Sequence, residues 1–440
     1  MILSSIVKND LISNKNIEYI SFNILQKINK IKKESQKLSS KIRIIEYIKI
    51  IWNIKCPCME IKQLKNGYHL GYGNNKIFLF DKDFNFKLEI SDLNEMIYYI
   101  SELDSNISDK EINIGVITIN NFLTIKINLE EYFHKIENYY SEGTFFLQIS
   151  QKTYIICQFN SIKLYNDLFD KICQHYLVHL NNEPSFNCLF LNKEKNLIAF
   201  TSNEILSKGK NSLIFYDLEN NNNYKELSGS FILSSNGMLL FENNNENDKK
   251  ILLAGCKKYK KYQKNGILIS ISFFNKKDDT IASRFYETDN FEVYCFCRIL
   301  LYKNNKNLTK SNYFFVGGFD TDIRQGLIKL YKAYFGENED NIKIKFIDNI
   351  IIEKEEKNDI IIYQKKTKEE ILKNKLFTGN KKINEYNQIK IKQNFKGFRG
   401  PISSIIQNNI SGNILVSCYD GNIYLFTPPN LDFYQSNEFD

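Results

Sequence analysis

Proline, histidine and tryptophan are scarce in this sequence of 440 residues, which has five prolines, four histidines and one tryptophan. The low proline count and the 19 glycines exclude collagen-like and proline-rich designs. No run of about 18 uncharged apolar residues occurs, so we expect no transmembrane helix. The apolar start at 2–7 is too short for the apolar region of a secretory signal.

The nine cysteines are an odd number, spread over a long chain. This pattern favours a reducing compartment over a disulfide-bonded scaffold. We therefore predict a cytoplasmic protein, with a nuclear location as the alternative. The pairs Cys56/Cys58 and Cys295/Cys297 have a spacing of two, which places both members of a pair on one side of a strand. We expect them to pack as small hydrophobic residues.

Sequence motifs of common catalytic sites are missing from the chain. It contains no G-x-x-x-x-G-K-[ST], no H-E-x-x-H and no G-x-S-x-G. Cys173, His175 and His179 are potential zinc ligands, but no fourth ligand can be identified. We therefore predict a non-catalytic protein without a cofactor and without a bound metal.

The charge and the apolar content are typical of a globular protein. Hydrophobic residues make up 43% of the sequence, and 59 Lys and Arg stand against 51 Asp and Glu, a net charge of +8. This composition excludes wholesale disorder. The length leaves a choice between two or three domains of roughly 150 residues and one large repeat fold.

A strand–turn–strand pattern recurs along the chain. An apolar strand ending in small residues is followed by a turn and by a second strand that opens with Gly, Asn or Ser and continues with alternating aliphatic residues. The segments with this pattern are 68–80, 114–127, 153–165, 196–216, 251–270, 313–331 and 412–426. Sandwiches also contain many short strands, but they do not repeat one signature at a nearly constant period.

The period of this pattern predicts a propeller. The third residue of each second strand serves as a marker, and the markers are Ile77, Leu123, Ile162, Ile214, Leu268, Ile328 and Ile423. They lie 39 to 60 residues apart, except for a last step of 95 that contains the Lys- and Glu-rich stretch 353–394. Propeller blades recur at roughly 40–50 residues. We predict an all-β fold, a seven-bladed β-propeller with a charged low-complexity insertion at 353–394.

The last repeat resembles a known family. Residues 398–427, FRGPISSIIQNNISGNILVSCYDGNIYLFT, resemble a repeat of the WD-repeat β-propellers, and the resemblance extends over roughly 56–434. The chain departs from the family pattern because no repeat ends in Trp-Asp and the Gly-His dipeptides are missing. The resemblance implies a WD-repeat-like propeller at 51–434 that serves as a platform for protein interactions.

The N-terminal region differs from the repeats. Its apolar residues with helical spacing are Ile24, Ile28, Ile31, Leu38, Ile42 and Ile45. This spacing predicts an amphipathic helix over 13–50, an N-terminal α-helical extension that either packs on the propeller or forms a partner-binding coiled coil. Residues 1–12 are predicted to form a tail or the strand that closes the ring, and 435–440 a tail.

Lysine and tyrosine concentrate in the connections between the second and third strands of the fourth, fifth and sixth repeats. We expect these connections, 202–211, 257–265 and 319–325, to be long and to emerge on one face of the propeller, because neighbouring strands alternate in direction. The predicted partner-binding residues are Lys208, Lys210, Lys257, Lys258, Tyr259, Lys260, Lys261, Tyr262, Lys264 and Arg324. Clustered Lys with Tyr suits acidic protein segments, RNA or anionic lipid heads.

The sequence favours one function over an alternative. We predict a non-catalytic scaffold that binds protein partners, acidic ones in particular, through a propeller face. The alternative is a propeller subunit of an RNA-binding complex that uses the basic loops. A net charge of +8 over 440 residues is dilute for nucleic-acid binding, which makes this alternative the weaker one.

Overall fold

The computed structural model describes the chain in stretches of strand and turn. The described residues are 50–55, 60–91, 93–103, 110–140, 143–150, 153–157, 161–166, 171–176, 188–192, 197–202, 211–218, 220, 222–229, 232–242, 250–257, 267–273, 281–288, 290–303, 307–335, 343–350, 357–365, 386–394 and 397–427. Regular structure within these stretches is β-strand throughout, so the prediction of an all-β repeat region is confirmed.

Four strands that pair in sequence order form a meander, and three separate meanders follow the first strand of the chain. That first strand is β1 (Ile50–Lys55). The first meander contains β2 (Glu60–Gln63), β3 (His69–Gly73), β4 (Lys76–Phe80) and β5 (Phe86–Ile90). The second contains β6 (Ile97–Glu102), β7 (Glu111–Thr118), β8 (Asn121–Asn128) and β9 (Phe133–Tyr140). The third contains β10 (Phe145–Ser150), β11 (Thr153–Cys157), β12 (Ser161–Asn166) and β13 (Lys171–Tyr176).

Three further meanders occupy the middle of the chain. The fourth contains β14 (Cys188–Asn192), β15 (Leu197–Ser202), β16 (Asn211–Asp217) and β17 (Asn222–Gly229). The fifth contains β18 (Ile232–Glu242), β19 (Lys250–Lys257), β20 (Ile267–Phe273) and β21 (Ile281–Glu287). The sixth contains β22 (Phe291–Lys303), β23 (Asn307–Asp320), β24 (Gln325–Tyr334) and β25 (Lys343–Ile350). A parallel bridge between β18 and β22 joins the fifth and sixth meanders into one sheet.

The last sheet combines both ends of the described chain. Its strands are β26 (Lys357–Lys365), β27 (Tyr386–Asn394), β28 (Ile402–Gln407), β29 (Ile414–Cys418) and β30 (Asn422–Phe426), together with β1. The order in the sheet is β27, β26, β1, β30, β29, β28. β28, β29 and β30 therefore form a meander whose fourth strand is β1, and this seventh meander is extended by β26 and β27.

The seven predicted strand–turn–strand segments are confirmed as antiparallel hairpins. They correspond to the pairs β3–β4, β7–β8, β11–β12, β15–β16, β19–β20, β23–β24 and β29–β30. Every marker residue lies on the third strand of its meander. The repeat was visible in the sequence because these two strands carry buried apolar runs on either side of a turn, as in β3–β4 and β29–β30.

The core lies between meanders, on both sides of each sheet. Successive strand residues point to opposite faces, so a strand buried on both faces reads as a continuous apolar run. Phe314 and Phe315 on β23 illustrate this, since Phe314 packs towards the fifth meander and Phe315 towards the seventh. Seven apolar clusters of this kind connect each meander with the next, and one of them joins the seventh to the first through Leu415 and Phe78.

The end of the predicted N-terminal helix is corrected. Ile50, the last residue assigned to the helix, begins β1, and the described residues contain no helix. β1 is antiparallel to β30, with Trp52 opposite Leu425, and parallel to β26. Its sequence, IIWNIK, is rich in β-branched and aromatic residues, which favours a strand. Residues 1–12, 13–49 and 435–440 lie outside the described residues.

The predicted low-complexity insertion at 353–394 contains two strands that the sequence analysis did not anticipate. β26 and β27 pair antiparallel from Lys357 and Asn394 to Lys365 and Tyr386. The apolar run 360–362 lies in β26 and supplies the β-propensity that the surrounding charged residues lack. Residues 366–385 lie outside the described part of the chain.

Candidate interaction face

Two kinds of connection come together at one end of the strands. One kind is the turn between the second and third strands of each meander, and the other is the connection from one meander to the next. Both lie at the same end because strand direction alternates along a meander. We call the surface that they form the turn face. The remaining turns, such as 64–68 and 408–413, form the opposite face.

Hydrogen bonds between meanders hold the turn face together. The backbone N–H of Ile97 donates to the carbonyl of Asn74 at 2.6 Å, which ties the second meander to a turn of the first. The N–H of Gly326 donates to the carbonyl of Phe398 at 3.2 Å and ties the seventh meander to the sixth. These two bonds join the turn face across the first and second meanders and across the sixth and seventh.

Most of the predicted basic loop residues lie outside the described residues. These are Lys208, Lys210, Lys258, Tyr259, Lys260, Lys261, Tyr262 and Lys264. Lys257 is the last residue of β19 and pairs with Ile232. The segments 203–210 and 258–266 do join the second and third strands of adjacent meanders, so both start and end at the turn face.

The connection predicted at 319–325 is shorter than expected. Only four residues, 321–324, separate β23 from β24, because both strands extend into the segment that the sequence analysis assigned to a loop. Asp320 shapes the turn, since its Oδ1 accepts the N–H groups of Asp322 and Ile323 at 3.0 and 3.3 Å. Arg324 follows with a φ of 53° and is exposed, and so is Ile323.

Apolar residues at the tips of turns are the site feature that sequence reasoning missed. The large hydrophobic residues exposed in the described chain are Met96 (48%), Ile119 (48%), Ile323 (56%), Phe346 (45%), Ile410 (61%) and Tyr419 (44%). Four of the six belong to the turn face, whereas Ile410 lies on the opposite face and Phe346 on β25. The sequence did contain a signal for them, because each of the four turn-face residues is an apolar residue in a mostly polar turn.

The turn that carries Ile119 is braced by a carboxylate. Glu95 lies in the connection before β6 and accepts hydrogen bonds from the Thr118 hydroxyl, from the backbone and side-chain N–H groups of Asn120, and from the Asn121 side chain. Burial raises the pKa of Glu95, but these hydrogen bonds outweigh it, and the pKa is lowered. The ionised carboxylate holds the tip residue in a fixed position.

A second braced turn carries Tyr419. Asp420 Oδ2 accepts the N–H of Arg399 at 3.2 Å and the hydroxyl of Tyr424 at 2.7 Å, while Oδ1 accepts the N–H of Asn422 at 3.0 Å. The Tyr419 ring lies 6.3 Å from that of Tyr294 on β22, which extends the aromatic surface towards the first strands of the meanders.

A partly buried ion pair lies next to this aromatic surface. Lys62 Nζ lies 3.4 Å from Glu60 Oε1, 2.6 Å from the carbonyl of Ile100 and 3.6 Å from the centre of the Tyr99 ring. Burial lowers the pKa of Lys62, but Glu60 and Tyr99 raise it, and the net shift is upwards. Lys62 therefore stays protonated and links the first and second meanders.

Three buried thiols in this region are held in their protonated form. Burial raises the pKa of the Cys297 and Cys418 thiols to about 12 and that of Cys295 well above its usual range. Thiols of this kind are protonated at neutral pH and are poor nucleophiles. Cys295 and Cys297 are buried in the core between the sixth and seventh meanders, which confirms that this pair packs as predicted.

Metal-binding clusters and membrane-spanning helices are absent from the described stretches. There, no group of three or more His, Cys, Asp and Glu side chains could hold a metal ion. Nor does any helix of the described chain have the length and apolarity needed to span a membrane.

Comparison with known proteins gives a similarity of fold. No protein-family model matches the chain, and no curated protein matches it. The crystal structure of Raptor from Chaetomium thermophilum is similar, with a TM-score of 0.52 and 8% sequence identity over 87% of this chain. This chain spans only 30% of the length of that Raptor chain. Because 598 chains of solved structures match, the fold is a common one and does not narrow the function.

The comparison supports the coarser part of the predicted resemblance. Repeated antiparallel meanders together with the similarity to Raptor indicate a WD-like propeller fold. At 8% identity the similarity concerns the fold alone.

Proposed function

We propose that this protein is a non-catalytic scaffold that binds protein partners through the turn face. The observation that carries the proposal is the concentration of exposed apolar tips on that face. Met96, Ile119, Ile323 and Tyr419 contribute little to the core, and an exposed apolar patch that is rimmed by polar residues marks a protein interaction site. The similarity to Raptor supports the fold on which this face is built.

The proposal includes a specific architecture, a seven-bladed propeller in which each meander is one blade. The apolar cluster between the seventh and first meanders supports a closed ring. In this ring β1, from the N-terminal side, completes the blade that β28, β29 and β30 begin. Joining the two ends of a chain within one blade stabilises a ring, because opening it breaks contacts that are distant in sequence.

The basic loops extend the proposed interface into the fourth and fifth blades. Their Lys and Tyr residues lie in segments that start at the turn face, next to the sixth blade with Arg324. An acidic region of a partner would suit this sector, whereas the described tips suit apolar side chains. We propose that one partner surface contacts both, in the cytoplasm or the nucleus.

The alternative of an RNA-binding subunit has less support. The turn face carries the carboxylates of Glu95, Asp322 and Asp420 beside Arg324 and Arg399, so its described part is not uniformly basic. A surface that tracks phosphates needs a continuous positive potential.

Charge substitution at the tips tests the proposal. We expect Ile119→Glu with Ile323→Glu to leave folding unchanged, because exposed substitutions usually alter stability by less than about 0.5 kcal/mol. Partner recovery from the tagged protein should fall about tenfold or more, since burying a new carboxylate in an interface costs several kcal/mol.

Ile410→Glu is the matched control, because Ile410 is the most exposed apolar residue of the opposite face at 61%. It should recover the same partners as the unmodified chain. Equal recovery by the tip variant and the control would refute an interface at these tips. Partners released by a modest increase in salt and replaced by RNA would favour the alternative.

A further inference from the structure

A small cleft opens on the turn face at the second meander. Its volume is about 190 Å³, and its wall includes Leu93, Asn94, Glu95, Leu123, Ile136 and Asn138. Pockets for cofactors and drug-sized ligands have roughly 300–1,000 Å³, and a cavity of about 150 Å³ holds one benzene molecule. The cleft therefore has room for one side chain and not for a cofactor.

The floor of the cleft is aliphatic. Leu93 and Leu123 are 4% and 7% exposed, and Ile136 is half-buried beside them in the cluster that joins the first and second meanders. These three side chains present only methyl and methylene groups. A Leu, Ile or Met side chain would gain roughly 1.5–3 kcal/mol of transfer free energy in such surroundings.

Two amide side chains at the cleft wall match a peptide backbone. Asn94 and Asn138 are exposed and come from different elements, the connection before β6 and β9. Each amide offers a carbonyl acceptor and two N–H donors, which are the groups needed to bind a main-chain N–H and C=O together. Among the described residues, neither side chain has a hydrogen-bond partner.

Glu95 disfavours charged ligands of either sign at this cleft. Its two oxygens already accept four hydrogen bonds from the 118–121 turn, so a basic side chain finds few free lone pairs. The same negative charge disfavours phosphate groups. The chemistry of the wall thus selects an uncharged ligand.

We infer that the cleft binds an extended segment of a partner protein, with one aliphatic side chain inserted between Leu93, Leu123 and Ile136 and the backbone held by Asn94 and Asn138. Met96 and Ile119 flank the cleft on the same face and continue its apolar surface. The inference rests on the proposed function and names the kind of partner segment that this face would take.

A peptide library tests the inference directly. Random linear peptides displayed on phage are selected on the full-length protein, and enriched peptides are measured by fluorescence anisotropy. We expect enriched peptides to share one Leu, Ile or Met that cannot be replaced by Ala. Asn94→Ala with Asn138→Ala should weaken binding about tenfold, because two hydrogen bonds are lost.

Asn138→Phe is a second variant, intended to fill the cleft while changing an exposed position, and it should abolish binding. Lys126→Ala, at an exposed position on the neighbouring β8, is the matched control and should bind normally. Unchanged thermal unfolding would show that each variant folds. Three outcomes would each overturn the inference. No peptide is enriched, the enriched peptides require Lys or Arg, or peptides bind normally to the Asn138→Phe variant.

The outcome is separable from that of the proposed function. If the tip variants lose their partners while no peptide binds the cleft, the scaffold proposal stands and the cleft inference falls. If a peptide binds the cleft while the tip variants keep all partners, the interface at the tips is refuted.

Discussion

His69 should make this protein lose stability in mild acid. The ring is fully buried on β3 and packs on Phe84, with 4.1 Å between ring centres. Nδ1 lies 3.3 Å from the carbonyl of Asp81, which can only accept, so Nδ1 carries the hydrogen. Nε2 lies 3.4 Å from the side-chain nitrogen of Asn408 and accepts from it.

Asn408 cannot turn its carbonyl towards a protonated ring. Its Oδ1 accepts the N–H groups of Ile410 and Ser411 at 2.8 and 2.9 Å, which fixes the amide with its NH₂ group facing His69. A proton on Nε2 would therefore meet a donor instead of an acceptor. Burial is the main cause that lowers the pKa of His69 from 6.5 to about 4.

The sign of the pH effect follows from this depressed pKa. Between these two values the unfolded chain binds more protons at His69 than the folded chain, so stability falls as the pH falls. The contribution of the neutral His69 ring to the free energy of unfolding is fully present above the unfolded pKa of 6.5. It is lost progressively as the pH falls to about 4. The loss amounts to about 2 kcal/mol at about pH 5 and about 3 kcal/mol in total.

Urea unfolding measures this loss. Fluorescence of Trp52, the one tryptophan, follows unfolding at about pH 7 and about pH 5 for the unmodified chain and for His69→Gln. Carboxylates titrate in both proteins and contribute equally to both. The difference between the two proteins in lost unfolding free energy therefore measures the effect of His69. We expect the unmodified chain to lose about 2 kcal/mol more than the variant.

Equal losses in the two proteins would refute this account of His69. Because the chain has only four histidines, selective labelling of the ring carbons also allows a titration by NMR. A signal for His69 that titrates near the ordinary value of about 6.5 would contradict a neutral buried ring even if the variant failed to fold.

Three further predictions concern packing and ring closure. Gly318→Ala should prevent folding or lower the thermal midpoint by many degrees, because the new Cβ would clash with the backbone carbonyl oxygen of Glu292. An unchanged midpoint would contradict this close approach. Asp420→Ala should lower the free energy of unfolding by about 2 kcal/mol in a denaturant titration, because the Tyr424 hydroxyl and two backbone N–H groups lose their acceptor. A change below about 0.5 kcal/mol would show that water replaces the lost carboxylate. Replacing 357–394 by a short linker should lower the thermal midpoint, since β1 loses its parallel partner β26, whereas an unchanged midpoint would show that β26 is dispensable.

The repeat could be read from the sequence because the two middle strands of each meander are buried on both sides. Ile77, Ile162 and Ile423 are fully buried, and burial on both faces gives the apolar runs that mark each hairpin. Periodicity therefore predicted the hairpins and their number.

Other elements gave no such signal. β26 and β27 mix isoleucines with Lys, Asn and Gln, and tertiary pairing completes them as strands, because β26 pairs with β1 and β27 pairs with β26. Ile50, the first residue of β1, was predicted to end the N-terminal helix because the isoleucines before it have a spacing that fits a helix. Short apolar runs are ambiguous between helix and strand on periodicity alone.

The candidate site was harder to predict than the fold. The sequence predicted an interface in long loops with clustered positive charge. Ile119 and Ile323 gave a weaker signal, because they are single apolar residues in short turns. Whether such a residue turns into the core or outwards depends on the conformation of the turn, which Glu95 and Asp320 set through contacts with backbone N–H groups.

Hydrogen exchange measured with and without a co-purified partner tests the central claim most directly. The account predicts slower exchange in the complex at the turn-face segments 119–120 and 321–324 and in the basic segment 258–266. Exchange at 64–68 and 408–413, on the opposite face, should stay the same. Protection confined to the opposite face, with no change at the turn-face segments, would contradict the claim that this protein binds its partners through the turn face.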